Sequence, residues 1–350
     1  MSQRKSSYEL LKIIAVFLII LSHLLPNYRE IDGSYINTCR ANLSFQHVVL
    51  ILFNYCGNVG NSIFIVCSAS FLIDNDKIKI SKIINILLNT LIVSVIFFCV
   101  YAACGTEFTN YEIVLSFLPF FGRPYWFVTC YAFYYAIHPV LNLVINNLSY
   151  KNFSLLTIAT ALIAFLYKND ITTFILYYFL TALFKRHFTK FCNSTFKNAI
   201  TLIVSVCILV SSVLLLIFLG LKCEQLSYSA DLFKGMLNPC NFFIAVTAFN
   251  LFGKLNLKSR AINFISSLSL LIYVIHNNVL FRYETVAYAY SFIYHKFTYS
   301  HIALWCLAGA AVTSILSTGV AALYKITIDK LTSKLSLKLE NKITKIKRRS

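Results

Sequence analysis

The sequence predicts an all-α integral membrane protein of about ten transmembrane helices. Both termini are expected on the cytoplasmic side, with a basic amphipathic tail at the carboxyl end. Three observations carry this. Hydrophobic residues make up 58% of the 350 and charged residues only 13%, far from the balance of an ordinary water-soluble domain. Apolar runs of spanning length recur between short polar breaks. A span needs about 20 mostly apolar residues, since each adds about 1.5 Å across a hydrocarbon layer about 30 Å thick. Finally, the basic residues are shared unevenly between alternate connections.

In chain order the runs are 9–26, 50–73, 83–103, 125–145, 153–167, 171–184, 198–220, 236–252, 262–281 and 301–324. The first continues past its apolar stretch into Ser22-His23 without a small-residue cleavage site, which predicts a retained signal anchor. The fifth and sixth are short and separated only by Lys168-Asn169-Asp170. A net charge of +18 would suit a nucleic-acid binder. With the amino terminus inside, however, about three quarters of the basic residues fall in inner connections, so the charge reports topology and no nucleic-acid partner is expected. The 11 cysteines show neither a C-x-x-C pair nor Cys/His spacing of a metal site, and no metal is expected.

Residues 1–324 thus read as one membrane domain and 325–350 as its tail. In the tail, Leu331, Leu335, Leu339, Ile343 and Ile346 recur at helical intervals among lysines, the pattern of a basic helix lying on an anionic inner leaflet.

Polar groups inside apolar spans are costly and point to function. The stretch YELLKIIAVFLIILSHLL, residues 8–25, carries Glu9, Lys12 and His23. Lys12 and His23 are eleven residues apart, close to three helical turns, so they share a face about 16 Å apart along the axis. Glu9 precedes Lys12 by three and neighbours it. That stripe should face the protein interior or a wet cavity. His276 sits at comparable depth in the outer half of the ninth run, with Arg282 six residues on and Glu284 just beyond. The stretch GRPYWFVTC breaks the chain at Gly122 and Pro124 before an aromatic span. Its Tyr125 and Trp126 suit the outer interface, where Arg123 could hold an anionic or hydroxyl-rich ligand. In the second run, Ser68, Ala69 and Ser70 permit close approach of a helix or a ligand.

Taken in this order, the four stretches resemble the acyltransferase family 3 membrane proteins. The family's opening Asp-x-Leu-Arg and following histidine are matched by Glu9-Leu10-Leu11-Lys12 and His23, with Glu for Asp and Lys for Arg. Its Phe-x-x-Ser-Gly-x-Leu stretch is similar to Phe64 through Leu72, with Ala69 at the glycine. Its Trp-Phe element before a Tyr-rich helix ending in Pro is similar to Trp126-Phe127 through Pro139. Its late Tyr-Leu-Ile-His element is similar to Tyr273-Val274-Ile275-His276. The resemblance covers residues 4 to about 324.

It implies a membrane-bound O-acetyltransferase of the bacterial plasma (inner) membrane. The implied donor is cytoplasmic acetyl-CoA. The implied acceptor is a sugar hydroxyl of a surface polysaccharide (O-antigen, capsule or exopolysaccharide) or its lipid-linked precursor. His23 would be the base or the acyl carrier, and Lys12, oriented by Glu9, would hold the donor's phosphate or thioester end. Arg123, Trp126, His276, Arg282 and Ser68 would shape substrate binding. Expected partners are membrane lipids, the glycan acceptor and polysaccharide-assembly proteins. The residues alone leave two other classes open: a transporter or flippase for a lipid-linked sugar, and a non-catalytic partner of a polysaccharide synthase.

Overall fold

The computed structural model describes residues 5–23, 45–222, 235–281 and 301–347. Among these, every regular element is helical. In chain order they are α1 Ser6–His23, α2 Phe45–Leu72, α3 Ile80–Ala103, α4 Asn110–Phe117, α5 Trp126–Asn147, α6 Tyr150–Tyr167, α7 Asp170–His187, α8 Thr189–Cys192, α9 Thr195–Lys222, α10 Pro239–Phe252, α11 Arg260–Ser267, α12 Ser269–His276, α13 Ile302–Thr327 and α14 Asp329–Lys347. Two short 3-10 turns, Pro119–Phe121 and Arg123–Tyr125, lead into α5.

Seven of the described helices are long and apolar enough to cross a membrane: α1, α2, α3, α5, α6, α9 and α13. The remaining expected runs hold helix of a different kind. α10 is apolar but has only 14 residues. α7 carries Asp170, Lys185 and Arg186 at its ends, while its middle buries Phe174, Tyr177 and Tyr178 at about the centre of the bundle. The ninth run is two helices, broken at Leu268. There the serine hydroxyls turn to other partners: Ser267 Oγ donates to Phe264 O at 2.6 Å and Ser266 Oγ donates to Glu9. Hydroxyls that bond outside the helical ladder weaken its continuity.

Local chemistry explains where the helices turn. The α6–α7 link is two residues long because Lys168 adopts a left-handed conformation (φ 48°) that ends α6, and Asn169 then caps α7 by accepting from Ile171 N at 2.8 Å. Thr109 and Glu112 form a reciprocal capping box on α4. Asn238 followed by Pro239 starts α10.

Packing then sets the site. α1 lies hard against α2 because Gly57 and Gly60 remove the side chains between them. A Cβ on Gly60 would stand 2.5 Å from the Ala15 carbonyl oxygen, and one on Gly57 would stand 2.2 Å from Ser22 Oγ. α1 also runs beside α11 and α12. Ser259 N donates to Ser6 Oγ at 2.9 Å, Ser266 reaches Glu9, and His276 reaches His23. The two elements therefore run in the same direction.

These pairings also align the ends of the bundle. Asp74, just after α2, meets Lys185 near the end of α7, and Ile80 at the start of α3 meets Glu340 of α14. Lys254, just after α10, meets Asn193 and Thr195 at the start of α9. Lys12, Lys79, Lys82, Lys185, Arg186 and Lys254 thus gather at one end, called the basic end below. The opposite end holds His23, the start of α5 and the end of α12.

At the basic end, His138 is fully buried. Its Nδ1 lies 2.6 Å from Tyr135 O and its Nε2 lies 2.8 Å from Asn75 O. Asn142 donates to Leu72 O and Asp76, and accepts from Tyr178 OH at 2.6 Å. This cluster pins the segment between α2 and α3.

Candidate active site

Two polar clusters occupy one face of α1. At the basic end, Glu9 is only 8% exposed. Its carboxylate accepts from Lys12 Nζ at 3.3 and 3.4 Å and from Ser266 Oγ at 2.5 Å. A buried carboxylate needs such donors, because taking it out of water costs several kcal/mol. Lys12 Nζ also stands 5.9 Å above the Phe71 ring, a cation–π contact that steadies an ammonium away from bulk water. Cys67 is fully buried within electrostatic reach of both Lys12 and Glu9, and Ser68, the next residue, is half-buried in the same turns of α2.

Phe71 is shared with a cavity of about 410 Å³, lined also by Tyr8, Phe249, Asp74, Lys185 and Asn250. Tyr8 stacks on Phe249 at 4.5 Å and 16°, and Phe71 meets both rings edge-on. Lys185 donates to Ser70 O at 2.8 Å and pairs with Asp74. Burial pushes the Cys192 thiol, also on this wall, above its ordinary value, against hydrogen bonds from Asn250 and its own backbone. The cavity therefore sets aromatic rings beside one ammonium group, Lys185, held by Asp74.

The second cluster closes the other end of α1. His23 Nδ1 lies 3.1 Å from His276 Nε2, with ring centroids 5.3 Å apart. His276 is 3% exposed, and its Nδ1 lies 2.7 Å from Ile272 O. That contact assigns the protons. A carbonyl oxygen only accepts, so His276 Nδ1 carries hydrogen. In the neutral ring Nε2 is then the acceptor, so His23 must donate from Nδ1. Neutral His23 consequently holds its lone pair on Nε2.

The turn before α5 supports this cluster. Asn277 Nδ2 donates to the Pro124 carbonyl and to Tyr273 OH, and Asn278 Nδ2 donates to Tyr125 OH at 2.9 Å. Tyr273 stands edge-on to His276 at 5.6 Å. Trp126 packs edge-on against Phe127 and Phe174, and Phe127 in turn meets Tyr273 at 5.4 Å.

The structure thus brings His23 to His276 and Glu9 to Lys12, while Ser68 is half-buried on α2. Trp126 supports the histidine cluster through Phe127. The backbone of Arg123 lies in the turn that packs on α12, whereas its side chain, and Arg282 altogether, lie outside the described residues. Ser266, Asn277, Asn278 and Tyr125 were not singled out from sequence as site residues. The signal for Ser266 was the polar interruption Ser266-Ser267-Leu268-Ser269 in an otherwise apolar run. For the asparagines it was their place directly after His276.

No curated protein and no solved structure matches the chain. A family model described as an acyltransferase domain matches residues 5–322, a range that takes in both ends of α1 and all of α12. With both polar clusters inside that match and seven membrane-length helices around them, the chain belongs to acyltransferase family 3 and is a multi-pass membrane acyltransferase.

Proposed function

We propose that this protein is an O-acetyltransferase of the bacterial plasma membrane. It moves an acetyl group from cytoplasmic acetyl-CoA to a sugar hydroxyl of a surface polysaccharide or its lipid-linked precursor. The topology that goes with this reading is ten crossings with both termini, and hence the basic end, in the cytoplasm. The observation that carries it is the His23–His276 pair. It sets two imidazoles in contact near one end of a helix whose other end carries Lys12 and Glu9.

A sugar hydroxyl is a poor nucleophile until a base takes its proton, and neutral imidazole suits that task. His23 accepts the hydroxyl proton as that oxygen bonds to the thioester carbonyl carbon. The carbon–sulfur bond then breaks, and the proton passes from His23 to the leaving thiolate. This releases the free thiol and restores neutral imidazole. The cavity at the basic end supports the donor side of the reading, with Tyr8, Phe71 and Phe249 as aromatic lining, Lys185 as a cation on its wall, and Lys12 over the Phe71 ring as a second cation near it. Lys12 presents a point charge where a family arginine would offer a planar fork, so it can neutralise phosphate but cannot clasp it bidentately.

The test uses membrane vesicles supplied with acetyl-labelled acetyl-CoA and scored for label on glycan. His23→Ala should abolish transfer at an unchanged level of protein in the membrane. Retained transfer removes His23 from the mechanism. A chain that moves glycan without consuming donor is instead a flippase.

A further inference from the structure

The last helix, α14, has three rows that the acyltransferase reading does not use. Asp329–Lys347 repeats a four-residue pattern: Lys330-Leu331-Thr332, Lys334-Leu335-Ser336, Lys338-Leu339-Glu340, Lys342-Ile343-Thr344. Residues four apart fall on one slowly winding row of a helix, so the pattern makes a lysine row, an aliphatic row and a polar row side by side.

The polar row faces the protein from Thr332 to Glu340, with Thr344 beyond it exposed. Thr332 and Ser336 are buried at 3% and 1% exposure, and Glu340 accepts from Ile80 N at 3.0 Å at the start of α3. Asp329 extends the same contact by accepting from Asn89 at 2.8 Å and Asn85 at 3.4 Å. The other two rows are turned away. Leu331, Leu335, Leu339 and Ile343 are all exposed, Leu331 at 71%, and so are Lys330, Lys334, Lys338 and Lys342. A water-soluble helix would do the opposite, burying leucines and exposing hydroxyls.

We infer that α14 is a lipid-docking element. Its polar row packs on α3, tied there by Asp329 and Glu340, its aliphatic row lies among acyl chains at the membrane boundary, and its lysine row binds the headgroups of anionic phospholipids. Two features favour this occupant. α14 follows the membrane-length α13 with only Ile328 between them, so it starts at the bilayer edge. Four evenly spaced ammonium groups beside an apolar flank match a surface that is hydrocarbon on one side and anionic on the other. An acidic protein partner would answer the lysines but leave the aliphatic row uncovered.

The experiment is hydrogen–deuterium exchange on the purified full-length protein in nanodiscs, comparing phosphatidylcholine alone with a phosphatidylcholine–phosphatidylglycerol mixture. Exchange over residues 329–347 should be slower in the anionic discs, and high salt should erase the difference, because exposed charges are screened. Lys330, Lys334, Lys338 and Lys342 replaced together by Gln should lose that lipid dependence, while α3 keeps its protection and so reports an intact fold. Each lysine at the surface accounts for about a fivefold preference for anionic lipid. Equal exchange in both lipids overturns the inference. So does protection that is lost on purification and returns only when other membrane proteins are added back.

Discussion

His276 holds His23 through Nδ1, so the pair fixes a tautomer as well as a position. The Ile272 carbonyl takes the His276 proton at 2.7 Å, and His276 Nε2 then accepts from His23 at 3.1 Å. A chain of two imidazoles anchored on one backbone oxygen sets which nitrogen of neutral His23 carries hydrogen.

His276→Phe should therefore lower the transfer rate about 10²-fold, within the range that acid–base positioning supplies, with the KM for donor unchanged. His276→Gln should recover part of that loss, because its amide oxygen still accepts from His23 Nδ1. Equal losses in the Phe and Gln variants, measured by steady-state kinetics in vesicles, would count against a positioning role.

Lys12→Met should cost about 1–3 kcal/mol of stability, because Glu9 is left buried with Ser266 as its remaining described donor. Lys12→Arg should keep the fold and raise affinity for the donor. Thermal unfolding in detergent checks the first expectation and a donor titration the second.

Gly60→Ala should destabilise more than Gly57→Ala, although the contact drawn at Gly57 is the shorter. The obstacle at Gly60 is the Ala15 backbone oxygen, which cannot move without shifting α1. At Gly57 it is the Ser22 hydroxyl, which can rotate. Overpacking of this kind costs about 1–3 kcal/mol. Parallel melting curves that rank the two variants the other way would show that α1 yields more readily than the packing implies.

Lys168→Gly should stabilise by about 1 kcal/mol. The left-handed conformation that closes the α6–α7 turn penalises a side chain, and glycine adopts it without cost. A lower melting temperature in this variant would mean that the lysine side chain contributes more than its backbone loses.

Much of the helical layout was legible because apolar runs report spans directly. Helix lies in all ten expected ranges, although seven of the described helices have the length and composition to cross. The difference has a physical source in α7 and α12. α7 hides aromatic hydroxyls by bonding Tyr177 to Met236 O and Tyr178 to Asn142, and at the α11–α12 break Ser266 bonds across to Glu9 while Ser267 bonds back to Phe264 O.

The Glu9–Lys12 pair was legible because helical spacing alone makes it. The His23–His276 pair was not, since 253 residues separate its members and one sequence does not report long-range contacts. The outward leucines of α14 were legible as a row, but the burial of the hydroxyls beside them depends on α3.

Ser266 gives the broken element a further meaning. It ties Glu9 near the start of α1, while His276, ten positions later, ties His23 near its end. Two latches on one pair of parallel rods make a fixed gauge: if the second rod slides, both latches must travel together. The Glu9–Lys12 pair and the His23–His276 pair are thereby kept in phase. A lengthened Ser266 side chain should then disturb the His23–His276 contact at the opposite end of α1.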